Sequence, residues 1–270
     1  MGWIQKLYDT YENCQDEVGA AGPDEQTVPL LPIAHSTQNA QIEVILGRAG
    51  DFRSARALTK EETVTIIPVT EDSATRSSGI TPHPLCDKLQ YVAGDYADYV
   101  EKKNGREFYN NYMEQLEKWC VSPYSHLKVQ AVFAYLKQGT LVEDLICRQV
   151  LVCDEKGLLA KGVKMGAGEQ SDAFVRFRVE TAGEEESAVW LDPQVYESYI
   201  RYYLSIQSEI DLCYVRGETM PCSEKHPAKV RNTGDIVFKI FFEAKVFFIK
   251  VNRLLSVFYR KCNMVYSCKH

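Results

Sequence analysis

The sequence predicts an α+β protein: a small, mostly antiparallel sheet arrangement with a central group of helices. Three observations lead there. Apolar and β-branched runs cluster early, at Val28–Ala34, Gln41–Leu46 and Thr63–Val69. Apolar residues then recur at helical spacing between Gln90 and Lys137. Strict alternation returns in "AFVRFRVET" (Ala173–Thr181). Strands, then helices, then strands again is the order of an α+β chain and excludes a repeating βαβ pattern. With 270 residues, 45% hydrophobic and 25% charged, the chain has the composition of a globular protein with a sizeable core.

Each element has its own local signal. Trp3, Ile4, Leu7, Tyr8 and Tyr11 sit at helical spacing and predict a short opening helix. No basic stretch precedes an apolar core there, so the segment does not read as a signal peptide, and Lys6 occupies the place where a myristoylation motif needs Ser or Thr. "CQDEVGAAGPDEQ" reads as a polar linker, and "HSTQN" as a hairpin-like turn between the first two strands. After Thr63–Val69, the segment Asp72–His83 is an exposed loop, closed off by Pro82 and Pro84. Helices are expected at Gln90–Lys103 and Arg106–Val121, broken at Asn104–Gly105. A third should start with Ser122 as cap and Pro123 in the first turn, and run to about Lys137. "CRQVLVCD" (Cys147–Asp154) reads as a strand. The glycine-rich stretch after it lacks both GK[ST] and GxGxxG and reads as a surface insertion. Asp192 as cap and Pro193 at the first position open a helix over "DPQVYESYIRYYLSIQSEI".

Charge and cysteines narrow the function classes. Nine scattered cysteines without a CxxC read as reduced, mostly buried thiols of a cytoplasmic protein. Cys222 with His226, and Cys213 upstream, is the nearest approach to a metal signature, and a single Cys-x3-His lacks its second pair. The net charge of −6 hides an asymmetry: from Lys225 onward ten Lys and Arg face only Asp235 and Glu243, so Met1–Glu224 carries −14. Contact with phosphates must therefore come from local basic clusters.

An enzyme has little support. There is no GxSxG and no HExxH, and the five histidines are dispersed. His83 and Cys86 could be paired as base and thiol, but Cys86 is expected to turn inward at a helix start. "GEEES" (Gly183–Ser187) reads as a solvated hairpin tip, and Tyr196, Tyr199, Tyr202 and Tyr203 as core or interface. Two clusters suit nucleic acid. The loop "SATRSSG" offers Ser73, Thr75, Arg76, Ser77 and Ser78 as donors beside Gly79. Equally, its hydroxyls could cap their own backbone. The segment "SEKHPAKVRN" carries Lys225, His226, Lys229 and Arg231, either a phosphate contact or a solvated loop.

Five stretches occur in one order: "WIQKLYDTYENC", "TRSSGITPHPLCDKLQYVAG", "SDAFVRFRVE", "WLDPQVYESYIRYYLS" and "DLCYVRGETMPCSEKHPAKVRNTGD". Together they resemble the N-terminal part of the large subunit of the type I-C CRISPR effector (Cascade) complex, over residues 1–235. The resemblance implies a non-catalytic subunit, without cofactor, that recognises the protospacer-adjacent motif of target double-stranded DNA. It also implies the other subunits of the guide RNA-containing effector and a recruited helicase–nuclease as partners. DNA-contacting roles for Ser73, Thr75, Arg76, Ser77, Ser78, Lys229 and Arg231 follow from their chemistry, since the resemblance does not assign them one by one.

Residues 236–270 depart from that pattern. "IVFKIFFEAKVFFIKVNRLLSVFYRKCNMVYSCKH" has no Gly, Pro or Asp, and reads as the end of a truncated or frame-shifted product. The rival reading is a helix with a Phe-rich face for a partner or membrane surface. Six charges between Lys239 and Arg260 argue against a membrane span. Two other functions stay open at this point: an interaction or decoy module that binds effector subunits without completing interference, and a hydrolase using Cys86 or the acidic residues.

Overall fold

The computed structural model describes residues 3–19, 30–101, 105–183, 186–213 and 217–221. The chain divides into two compact units, one of Met1–His35 with Tyr203–His270 and the other of Ser36–Tyr202. The first unit opens with helix α1 (Trp3–Asn13), as the spacing predicts.

The second unit holds the sheet expected from the sequence, with different membership. "HSTQN" is itself a strand, β1 (His35–Asn39), not a turn. β2 (Ile42–Gly47) runs through a tight turn, in which the Gly47 N–H donates to Asp51 O and Gly50 takes a φ of +82°, into β3 (Phe52–Ala57). β3 carries no β-branched residue, which is why periodicity alone passes over it; its strand state comes from the ladder with β2. β4 (Val64–Pro68) pairs with β1 and stays out of the β2 sheet. The expected strand at Val28–Ala34 is not observed over its described part, where Ile33 and Ala34 form a turn, and its first two residues lie outside the described residues.

Short helices follow: α2 (Glu71–Ala74), α3 (Leu89–Val92) and α4 (Tyr96–Tyr99). The single helix expected at Gln90–Lys103 is thus split. Gly94 lies at the break because the chain is crowded there: a Cβ on it would stand 3.0 Å from the Gly139 Cα and 3.0 Å from the Tyr109 ring. Asp95 beside it turns to cap another helix, accepting from the Val142 and Glu143 N–H groups at 3.1 and 2.9 Å. α5 (Gly105–Cys120) is the long helix expected. α6 (Leu127–Leu136) begins later than expected: the Ser122 hydroxyl accepts from the Tyr124 N–H and donates to Trp119 O within a turn, and the His126 side chain caps the helix.

The strand expected at Cys147–Asp154 is not observed: α7 (Leu141–Cys147) ends on its first residue, a turn follows, and Cys153 makes only an isolated bridge to Leu159. The helix ends in a Schellman turn: Gln149 takes a φ of +59°, its N–H donates to Ile146 O and the Val150 N–H to Leu145 O. The glycine-rich insertion carries a two-residue hairpin, β5 (Lys164–Met165) and β6 (Gly168–Glu169). Buried Gln170 pins its base, accepting from Val152 N–H and donating to Val152 O and Ala160 O.

β7 (Val175–Glu180) then pairs in parallel with β2, completing the order β3-β2-β7. Its alternation has the expected result. Val175, Phe177 and Val179 join Ile42, Val44 and Leu46 on one fully buried face, against which α6 packs. α8 (Pro193–Ser205) starts as predicted, with the Gln194 N–H donating to the Asp192 carboxylate at 2.8 Å. It stops short of Ile210, which opens β8 (Ile210–Cys213); β8 pairs with β9 (Glu218–Pro221) in an antiparallel hairpin of the first unit. Tyr196, Tyr199 and Tyr202 are buried: Tyr196 donates to Trp190 O, Tyr199 to Val69 O, and Trp119 lies against Tyr199 and Tyr202. Among the described residues, small sheets and eight α-helices make this the mixed α+β architecture expected. Among the described residues no helix is long and apolar enough to cross a membrane.

Candidate nucleic-acid interface

The loop after β4 is built on two local devices. Thr70 caps α2, accepting from the Ser73 N–H at 3.1 Å while the Ser73 hydroxyl accepts from the Thr70 N–H at 2.9 Å. Thr75 donates its hydroxyl back to Glu71 O. Two of the five sequence-predicted donors in the loop are therefore occupied by its own backbone.

Arg76 turns inward. It makes a two-pronged pair with the Asp87 carboxylate at 2.7 and 2.6 Å, donates to Thr81 O at 3.0 Å, and lies 4.8 Å from the centre of the Tyr91 ring. Burial alone would lower its pKa, but the hydrogen bond and charge of Asp87 outweigh it and raise the value. Asp87 is fully buried and is the hub of the loop. Besides Arg76 it accepts from the His83 and Lys88 N–H groups, and its own carbonyl accepts from the Val175 N–H at the start of β7. The chain of contacts runs from the sheet through Asp87 to Arg76.

Beyond that anchor the tip emerges. Ser77, Ser78 and Gly79 are exposed, and Gly79 takes a φ of +83°. Of the predicted loop donors, the structure leaves Ser77 and Ser78 facing solvent and puts Ser73, Thr75 and Arg76 to work holding the tip. Lys229 and Arg231 lie outside the described residues, as do Lys225, Cys222 and His226.

The expected environment for a thiol–imidazole pair is absent at His83 and Cys86. Burial lowers the His83 pKa to about 4, against the pull of Asp87, and its ring tilts on Phe174 with Nδ1 unpartnered. Burial pushes the Cys86 thiol up to about 12, leaving no thiolate to attack a substrate. Among the described residues no three His, Cys, Asp or Glu side chains stand together to hold a metal.

Sequence reasoning missed a second charged site, on the other face of the β3-β2-β7 sheet. Arg56, Glu43 and Arg176 occupy one row across three strands. Buried Glu43 accepts from Arg176 at 2.9 and 2.7 Å, from Arg56 Nε at 3.1 Å and from Arg178 Nε at 3.4 Å. Burial would raise the Glu43 pKa; the hydrogen bond from Arg176 and the charges of Arg176, Arg178 and Arg56 overcome it and hold it below the ordinary value. Trp190 stacks on Arg176 at 3.8 Å and on Arg178 at 5.2 Å. The signal was in "VRFRVE", whose alternation puts both arginines on one side; their shared partner, 133 residues away from Arg176, was not legible.

A match to the family model described as CRISPR-associated protein (Cas_Csd1) extends over residues 7–236. This chain belongs to the CRISPR-associated Csd1 family. That is the family of type I-C effector large subunits which the five sequence stretches resemble. The Csd1 match covers the whole second unit, including both charged sites. No curated protein matches the chain.

Proposed function

We propose that this Csd1-family chain recognises the protospacer-adjacent motif of target duplex DNA and supports assembly of the effector, without catalysis of its own. The observation that carries the reading is the family match, and the loop supplies the instrument. Its Ser77–Gly79 tip is exposed, small and hydroxyl-bearing, and a buried ion pair sets it on the sheet. Small side chains at such a tip can reach base edges and phosphates without bulk. In this reading Ser77 and Ser78 meet the DNA, Ser73, Thr75 and Arg76 hold them in position, and Lys229 and Arg231 neutralise phosphates nearby. The absence of catalysis is supported by the buried, protonated Cys86 and the buried, neutral His83.

The test is duplex binding by the assembled effector, with matched and scrambled motifs across a salt series. Ser77→Glu combined with Ser78→Glu adds repulsion at the tip and removes no observed contact. It should weaken matched binding by about tenfold, roughly 1.4 kcal/mol, and scrambled binding far less. Lys229→Ala should weaken both alike and reduce the salt slope by about one. If the double glutamate variant binds and discriminates as the parent does, the loop is not the reader. If the parent effector assembles yet does not distinguish the two motifs, the chain is an interaction module and the proposal fails.

A further inference from the structure

We infer that the basic, phenylalanine-rich segment 236–255 packs within its own chain onto the β8–β9 hairpin, on an apolar face that the described residues leave uncovered. Exposed apolar side chains concentrate at this end of the described chain. Leu204, Ile206, Ile210 and Leu212 fall within nine residues and are 36%, 54%, 62% and 45% exposed. Alternation along β8 puts Ile210 and Leu212 on one face and Cys213, which is buried, on the other. The antiparallel register sets Pro221 opposite Ile210 and Thr219 opposite Leu212, so these four side chains share the open face. Among the described residues β8 and β9 pair only with each other. A two-stranded hairpin is marginal in water until something packs on it.

Charge, reach and pattern select the occupant. Residues 206–221 carry Glu209, Asp211 and Glu218 against Arg216, a balance of −2. Residues 236–270 carry seven Lys and Arg against Glu243, a balance of +6. The two stretches are therefore complementary, and both belong to the same compact unit. β9 ends at Pro221, and residues 222–235 can span up to about 50 Å when extended, which is ample for the chain to fold back on the hairpin. At helical spacing Val237, Phe241 and Phe248 fall opposite Lys239, Glu243 and Lys250, giving an apolar stripe for the hairpin face and a charged stripe for water. The family match stops at residue 236, so this packing lies beyond the matched region and is independent of DNA recognition.

Hydrogen exchange of the purified full chain, read peptide by peptide at two protein concentrations about tenfold apart, tests it. Amides of 236–255 should exchange at least about tenfold more slowly than in a free peptide of the same sequence, and equally so at both concentrations. Ile210→Asp combined with Leu212→Asp should bring them to within about twofold of the free peptide. Val121→Asp combined with Leu127→Asp changes a comparably exposed apolar pair between α5 and α6, and should leave them as in the parent. Phe241→Asp combined with Phe248→Asp tests the contact from the other side, should the hairpin variant fold poorly: exchange at residues 210–213 should rise by about threefold or more. Exchange in the parent as fast as in the free peptide would overturn the inference. So would protection unchanged by the hairpin variant, or lost equally in the α5–α6 variant. Protection that appears only at the higher concentration would make the occupant a second copy, and protection that appears only with phosphatidylglycerol–phosphatidylcholine vesicles would make it a membrane surface; either result also overturns it.

Discussion

Replacing Arg76 with alanine separates two tasks that its sequence position suggests. In the structure Asp87 is fully buried and its negative charge is matched by Arg76 through bonds of 2.7 and 2.6 Å. Breaking a buried ion pair from one side costs about 3–5 kcal/mol, because the other charge stays buried. Asp87 keeps the His83 and Lys88 N–H donors, both at 2.7 Å, and the Arg76 side chain is 19% exposed, so the low end applies. We expect a loss of about 3 kcal/mol and, for a chain of this size, a fall in Tm of roughly 6–12 °C. Calorimetry or urea unfolding of the full chain reads it. Asp87→Asn should be comparably costly, and the double variant should cost less than the two singles added. DNA binding by the assembled effector then gives the sharper distinction. If Arg76 only holds the tip, Asp87→Asn should impair matched binding as Arg76→Ala does, although Asp87 is buried away from any DNA. Two outcomes would refute the clamp: a loss near 0.5 kcal/mol, typical of an ordinary surface change, or matched binding that falls in Arg76→Ala while Asp87→Asn binds as the parent does.

Two further predictions rest on single residues. His83 binds its proton at about 4 when folded and near its ordinary 6.5 when unfolded, so the unfolded chain takes up the proton more readily and stability falls as pH drops through that window. Between pH 7 and pH 5 this should amount to roughly 2 kcal/mol in urea unfolding; His83→Gln should flatten the profile, and an unchanged slope in that variant would remove His83 as its source. Gly94→Ala forces a Cβ to within 3.0 Å of the Gly139 Cα and the Tyr109 ring, and should cost about 1–3 kcal/mol by overpacking. Thermal unfolding indistinguishable from the parent would mean that the break between α3 and α4 does not depend on that close approach.

What the sequence by itself determined is what a few neighbouring residues decide. The helical stripe of α5, the Asp-Pro start of α8 and the alternation of β7 all depend on contacts within about a turn or on side-chain direction, and all are found where expected. The exposed tip at Ser77–Gly79 was legible for the same reason. Tertiary structure decided the rest. β3 is a strand because β2 pairs with it, and α3 and α4 are separate because Gly94 meets Gly139 and Asp95 caps a helix 47 residues on. α7 closes on a Gln149 with positive φ, where sequence signals favour glycine. The roles of the charges were the least legible. An arginine at position 76 has the same local chemistry whether it faces DNA or a carboxylate, and only the fold brings Asp87 beneath it. Arg176 and Arg178 likewise acquire Glu43 through the β2–β7 register. Register is a property of two distant segments together, and a shift of one residue would send both arginines to the opposite face.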